Sequence, residues 1–351
     1  MLLSIVIPVL NEAETIPIVL ERLRRTLSNV TWEVIFVDDG STDQTSNIIE
    51  SAGFADPRIG VIRFSRNFGH QAAVTAGLDF ADGDAVVVMD ADLQDPPEML
   101  TRMLELFGMG YDVVSPQRVS RQSDSHFKRW SASLFYSMVS FLTDQRLPPN
   151  VGDFRLFSRR TVLAIRSLRE QHRYMRGMTA WLGLREAFIP FERQPRAGGH
   201  TKYSLLRMLR FAWTAVSSFS ALPLRASIAA GCLLSFAGFL YFLYVLYLAF
   251  WTTRLVPGWA SIVVLQCIFS GMILLALGAI GDYVARTYEE TKYRPLYVVT
   301  ETRNVSLPRQ PIKRAVILVE SDSASLKNAH GADTDVTEKG VDIPQINSRG
   351  S

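Results

Sequence analysis

Residues 85–97, AVVVMDADLQDPP, carry a string of apolar side chains that ends in Asp90, Asp92 and Gln94. Carboxylates two residues apart at a strand end can share a hard divalent cation, and a cation held there can in turn hold a diphosphate. A solvated, Asp-rich turn is the plainer reading of these acids taken alone. Two other segments repeat the design. Residues 32–42, WEVIFVDDGST, deliver Asp38, Asp39 and Gly40 from an apolar stretch, and residues 4–12, SIVIPVLNE, end in Pro8, Asn11 and Glu12. Three strand ends converging on polar groups would make a pocket.

These groups need a parallel sheet to bring them together. Four consecutive apolar residues at 85–88 read as a central strand, and in open α/β sheets ligands bind beyond the carboxyl ends of the strands. Strand and helix patterns alternate as a doubly wound fold requires. Residues 13–27 place Ile16, Val19, Leu20, Leu23 and Leu27 on one helical stripe. Residues 43–49 read as a helix with Ser41 and Thr42 as candidate caps, 59–64 as a strand, and 69–80 as a helix entered through Asn67-Phe68-Gly69-His70. His70 could touch a substrate phosphate from that helix start, or be a structural residue of the turn. Pro96 and Pro97 open a further helix running through Leu106. No internal repeat is visible.

Together the three segments resemble the nucleotide-sugar domain of inverting family 2 glycosyltransferases, whose motifs are an initial IPxxNE, a DDGS and a DxD. The resemblance implies a GT-A type, Rossmann-like fold that binds a nucleotide-sugar donor with Mg²⁺ or Mn²⁺. It assigns nucleotide contacts to Pro8, Val9, Asn11, Glu12, Val37, Asp39, Asp90 and Ala91, and the metal to Asp90, Asp92 and Gln94.

The 351 residues suffice for one large α/β domain with about a hundred to spare. The 48% hydrophobic content is unevenly spread. Residues 226–251 and 259–281 carry no charge, and each is long enough to cross a hydrocarbon core of about 30 Å. Between them, residues 252–258 hold Pro257, Gly258 and a single charge, Arg254, so the two spans read as a hairpin with both ends on one side. Arg207, Arg210 and Arg225 precede the first span and Arg286, Lys292 and Arg294 follow the second, which predicts a multi-pass protein of the inner membrane with both termini cytoplasmic. The N-terminal apolar stretch lacks the basic flank of a signal peptide. Cys232 and Cys267 both fall within the spans, leaving no disulfide framework or metal-ligand spacing. The net charge of +3 is mild and its excess lies beside the spans, so nucleic acid is not expected as a partner.

The expected organisation is a cytoplasmic transferase domain at 1–203, a juxtamembrane amphipathic helix at 204–224, the hairpin at 225–282, a return segment at 283–303 and a disordered tail at 304–351, with 316–319 its one apolar knot. Residues 203–222 interleave Arg207 and Arg210 with Leu205, Leu206, Leu209, Phe211 and Trp213, which suits a helix lying at the membrane surface.

Residues 150–160, NVGDFRLFSRR, put Asp153 and Arg155 near a strand start, and residues 193–203, RQPRAGGHTKY, hold Arg196 and Lys202 just before the membrane segment. The whole pattern resembles the polyprenyl-phosphate sugar synthases, which include dolichol-phosphate mannose synthases and bactoprenol glucosyltransferases; GDFRL and the two-span hairpin favour the latter. The match covers residues 3–296. It implies that Arg118, Arg196 and Lys202 bind phosphate groups and that Asp153 sits beside the reacting centre with Asp92, as base or as orienter. A lipid monophosphate is already a competent nucleophile at neutral pH, so repulsion between two anions is the larger obstacle. The expected activity is inverting transfer of one sugar, glucose from a UDP-sugar, to undecaprenyl or another polyprenyl phosphate. A mannose or aminoarabinose donor, a processive polysaccharide synthase and a non-catalytic membrane scaffold stay open as alternatives, and the sequence allows a homo-oligomer.

Overall fold

Strand β1 (Leu2–Val9) is buried along almost its whole length and lies at the centre of a sheet ordered β7-β5-β6-β4-β1-β2-β3-β8-β9. The computed structural model describes residues 1–118, 151–191, 258–308, 312–318 and scattered positions between 230 and 247. Strands β2 (Thr31–Asp38) and β4 (Ala85–Val88) flank β1 in parallel, and β3 (Ile59–Phe64) adds to β2 in the same sense. Each of these strands is apolar on both faces because helices cover both sides. Helix α1 (Ile16–Thr26) buries Ile16, Val19, Leu20 and Leu23, the stripe read from the sequence, against the face carrying Leu3, Ile5 and Ile7. The opposite face takes α3 (His70–Phe80), which comes close to β1 at Gly77: a Cβ there would meet Val6 Cγ1 at 2.0 Å.

The chain steps outward from β1 to β2 to β3, through α2 (Thr45–Ala55), and then crosses to the other side of β1 for β4. That reversal leaves a crevice outside the carboxyl ends of β1 and β4, where doubly wound sheets hold their ligands. Past α4 (Met99–Gly108) the sheet becomes mixed. Strand β5 (Val113–Arg118) is antiparallel to β6 (Arg155–Ser158), and β6 is antiparallel to β4 with Val88 opposite Arg155. Two helices follow, α5 (Arg159–Ser167), whose start Ser158 caps by accepting from the Thr161 N–H, and α6 (Met175–Leu182). Strand β7 (Glu186–Phe191) pairs in parallel with β5 at one edge.

The opposite edge differs from expectation. Strand β8 (Tyr297–Arg303) pairs antiparallel with β3 and β9 (Ala315–Ile317) pairs in parallel with β8, so the return segment and the first part of the supposed tail complete the sheet. The reason lies beneath β3: Tyr297 is fully buried, stacks on Phe64 at 5.2 Å and donates its hydroxyl to Asp79 Oδ2 at 2.7 Å. Asp79 also takes two hydrogen bonds from Arg169 at 2.7 and 2.8 Å. The transferase domain therefore does not end near residue 203, and a soluble fragment stopped at Leu222 would leave β3 as a bare edge. Tyr297→Phe removes one buried hydrogen bond and leaves the Arg169 pair; a loss of about 1–2 kcal/mol in unfolding free energy is expected, read by thermal or denaturant melting. No change in stability would detach β8 from the folded core.

Helix α7 (Trp259–Thr291) has 33 residues, and its part Ile268–Thr291 is long and apolar enough to cross a membrane. It is the one such helix among the described residues. The positions described within 226–251 are helical, but that predicted span, like residues 203–222 and 319–351, otherwise lies outside the described residues.

Candidate functional site

A cavity of about 420 Å³ opens at the crevice between β1 and β4, lined by residues from five chain segments. Pro8, Val9, Leu10 and Glu12 come from the end of β1, Asp39 from the end of β2, and Asp90, Ala91 and Asp92 from the end of β4. Asn67, Gly69, His70 and Ala73 come from the entry and first turn of α3, and Asp153 from the turn before β6. Eight of the sequence-predicted site residues, Asp153 among them, thus line one cavity, together with His70.

The double aspartate of the DDGS segment divides its labour. Asp38 is fully buried; it accepts from the Ser41 N–H at 2.8 Å and pairs with Ser46, which holds the turn closed. Asp39 faces the cavity and accepts from the backbone N–H groups of Phe68 at 2.6 Å and Gly69 at 2.9 Å, just ahead of α3. Burial pushes the Asp39 carboxyl up, against the lowering by those two N–H donors. Gly40 makes this docking feasible. Its φ is +79°, and a Cβ there would lie 2.9 Å from the Arg66–Asn67 peptide.

Asn11 and Val37 do not line the cavity. Asn11, at φ 56°, accepts from the Thr42 N–H at 2.8 Å through its side chain, and its own N–H donates to Ser41 Oγ at 3.0 Å. Ser41 and Thr42 therefore bind the β1 loop and do not cap α2, whose N-cap position is Gln44. Val37 is buried in the sheet behind the wall. Gln94 is also buried, and its backbone N–H donates to Asp92 Oδ1 at 3.1 Å across a turn in which Leu93 stands at φ 61°. Its place is behind Asp92. Asp90 and Asp92 remain as two hard oxygen donors on the cavity wall, a set that suits Mg²⁺ or Mn²⁺ when phosphate oxygens and water fill the other positions. Among the described residues no three His, Cys, Asp or Glu side chains cluster as a self-sufficient metal cage.

Asp153 meets several polar side chains at the cavity wall. Arg176 Nε of α6 donates to its Oδ1 at 2.9 Å, and Gln71 Nε2 to its Oδ2 at 3.4 Å. His70 Nε2 stands 3.6 Å from Asp153 Oδ2 and 3.8 Å from Asp90 Oδ1, bridging the two acids. Burial alone would raise the Asp153 carboxyl; the nearby His70 and the Arg176 charge outweigh it and hold the group well below the usual carboxylate range. His70 moves the other way, raised by the Asp153 carboxylate beside it over an opposing burial effect. The turn carrying Asp153 is itself anchored. Arg155, 2% exposed, donates to the Gly152 carbonyl at 3.1 Å. Arg118, at the end of β5, packs over Gly152, with Nη2 3.1 Å from where a Cβ would stand.

Arg196 and Lys202 lie outside the described residues. The sequence reading missed Arg176 and Gln71. Both sit in segments without a motif of their own, Arg176 just past Glu170-Gln171-His172-Arg173-Tyr174 and Gln71 one residue beyond His70.

Residues 4–165 match the family model described as Glycosyl transferase family 2. The chain is 42% identical to an uncharacterized glycosyltransferase, YkcC, of Bacillus subtilis (strain 168), over 87% of this chain and 95% of that protein. It is 36% identical to the bactoprenol glucosyl transferase of Shigella phage SfX, over 85% and 99%, and 34% identical to a prophage bactoprenol glucosyl transferase homolog of Escherichia coli (strain K12), over 86% and 100%. Among solved structures, a crystal structure of glucosyl-3-phosphoglycerate synthase from Mycobacterium tuberculosis with Mn²⁺, UDP and phosphoglyceric acid aligns over 61% of this chain and 76% of that one, at 18% identity and a TM-score of 0.46.

Proposed function

The chain belongs to glycosyl transferase family 2, and from that premise we propose that it transfers a single sugar, glucose from UDP-glucose, to a polyprenyl phosphate with inversion. The observation that carries the reading is the cavity itself, where Asp39, Asp90, Asp92 and Asp153 converge at the switch between β1 and β4. Relatives named bactoprenol glucosyl transferases, matched over nearly their full length, support the lipid acceptor. An Mg²⁺ or Mn²⁺ ion held by Asp90 and Asp92 would neutralise charge on the leaving diphosphate.

The remaining chemistry falls to side chains. A phosphate oxygen of the lipid attacks the anomeric carbon from the face opposite the nucleotide, the bond to the diphosphate oxygen breaks, and no proton need be removed from a dianionic acceptor. Glu12 and Asp39, with Pro8 and Val9 beside them on the cavity wall, would hold the nucleoside. Asp153 serves as an orienter: paired with Arg176 and His70, it is too weak a proton acceptor for a general base working near neutrality. It fixes these cations and is placed to bind sugar hydroxyls. Arg118, Arg196 and Lys202 are the proposed ligands of the acceptor phosphate, offsetting the repulsion between two anions.

The membrane belongs to the same proposal. Helix α7 leaves Ile273, Leu274 and Leu277 more than half exposed, a large apolar surface that a soluble core does not cover. Its charge-free part, residues 259–281, would reach about 35 Å at 1.5 Å per residue and leaves Glu289 and Glu290 beyond the hydrocarbon. With residues 226–251 as its partner it would form a cytoplasm-facing hairpin at the inner membrane, keeping the domain beside its lipid substrate.

Membranes containing the protein, offered a panel of radiolabelled nucleotide sugars, should form one lipid-linked sugar, from UDP-glucose, and EDTA should stop the reaction. Label from GDP-mannose alone would change the donor, and label in a long water-insoluble polymer would favour a processive synthase. Lys202→Ala and Arg196→Ala should each lower transfer by about 100-fold while UDP affinity, measured by calorimetry, stays within about twofold. A parallel collapse of UDP affinity would move both residues to the nucleotide side.

A further inference from the structure

The C-terminal end of α7 is tied to the segment that carries the counter-ion of Asp153. Glu289 Oε2 lies 2.6 Å from His172 Nε2. Glu290 Oε1 accepts from the Gln171 backbone N–H at 2.5 Å, and its Oε2 from Arg314 Nη1 at 2.6 Å. The same Arg314 nitrogen donates to the Arg169 carbonyl at 2.6 Å, and Nη2 donates to the Glu290 carbonyl at 2.8 Å. Arg314, only 11% exposed at its side chain, therefore clasps α7 and residue 169 together from the strand edge.

Residues 169–174 are held at their start by the Arg169 pair with Asp79 and by Arg173, which donates to the Leu168 carbonyl, and at 171–172 by Glu290 and Glu289. They form no helix or strand, and they lead directly into α6 at Met175. Both contacts with the reacting centre come at that point. The Met175 N–H donates to Gln71 Oε1 at 3.2 Å, Gln71 reaches Asp153 from its other end, and Arg176 holds Asp153 Oδ1. From Glu290 to Asp153 the chain of contacts runs through Gln171, the four backbone residues 172–175 and Arg176.

We propose that Glu290, with Glu289 and Arg314, is a positioning residue for the reacting centre: by docking the end of α7 on residues 169–172 it sets where α6 begins, and so where Arg176 and Gln71 hold Asp153. This rests on the reading of Asp153 as an orienter, and it adds that the helix proposed to cross the membrane is also mechanically part of the active site. A polar latch of this kind transmits position because each of its bonds is directional and partly shielded from water.

The test compares Glu290→Ala with Asn304→Ala. Asn304 ties β8 to α2 and β3 by donating to the carbonyls of Gly53 and Ile59, so its loss destabilises the domain without touching residues 169–176. In full-length protein in nanodiscs, Glu290→Ala should lower kcat about tenfold with KM for the nucleotide sugar within twofold, whereas Asn304→Ala should lower Tm and leave kcat alone. Glu290→Gln, which keeps an acceptor for the Gln171 N–H, should recover part of the loss. In an Arg176→Ala background the Glu290→Ala effect should largely vanish, because both act on one acid. Hydrogen exchange supplies a readout free of activity: Glu290→Ala should raise exchange at residues 168–178 and not in β1 or β2. Multiplying effects of Glu290→Ala and Arg176→Ala, or unchanged exchange at 168–178, would overturn the proposal. If the wild type makes no lipid-linked sugar, the acceptor reading fails, and the same kcat comparison is then made on hydrolysis of the nucleotide sugar, while the exchange result stands by itself.

Discussion

Asp92→Asn is expected to cut transfer by on the order of 10²–10³-fold while the domain keeps its melting temperature within a few degrees. Cation stabilisation of a developing phosphate charge contributes several kcal/mol, and about 1.4 kcal/mol corresponds to a factor of ten. The substitution separates chemistry from folding because Asn retains the oxygen that accepts from the Gln94 N–H. The turn at Leu93 should survive while one of two anionic cation donors is lost. Initial rates over a Mn²⁺ titration, with a thermal melt on the same sample, read both effects. Rates near wild type, or a wild-type enzyme fully active in EDTA, would remove Asp90 and Asp92 from the metal.

The second large effect is expected at Asp153. Asp153→Asn should lower kcat by about 100-fold, and by the same factor from pH 6 to pH 9. The sign follows from the direction of the shift. A carboxyl held below the usual range is ionised across that whole window, so it adds no ionisation to the wild-type rate profile that the variant could lose. The second ionisation of the acceptor phosphate, near pH 6, shapes both profiles alike. The defect arises because Arg176 and His70 lose the anion that fixes them on the cavity wall. A true base would behave otherwise, with the variant recovering as alkali makes the acceptor fully dianionic. That outcome, seen as a ratio closing with pH, would restore Asp153 to general-base duty.

Local pattern alone was enough for much of this protein. The apolar runs of β1, β2 and β4, the stripe Ile16-Val19-Leu20-Leu23 and the breaks at Gly69 and Pro96–Pro97 are short-range consequences of burial and backbone preference, readable without neighbours. They imply the parallel half of the sheet, and with it that Asp39, Asp90 and Asp92 share an edge, because parallel strands all point their carboxyl ends one way. The charge-free stretch 259–281 that begins α7 was legible for the same reason.

What the sequence left open depended on pairings between distant segments. Nothing local states that β6 runs antiparallel to β4, yet that register, Val88 opposite Arg155, brings Asp153 to the edge occupied by Asp90. Neither could 297–303 and 315–317 be read as edge strands, since their fit depends on Tyr297 finding Phe64 and Asp79 more than 200 residues earlier. The division of work between Asp38 and Asp39, identical in type and adjacent in the chain, followed only from which carboxylate met Ser46 and which met the N–H groups ahead of α3. Residue type sets what a side chain can do; its hydrogen-bond partners and charges, supplied by contacts far apart in the chain, decide which of those things it does.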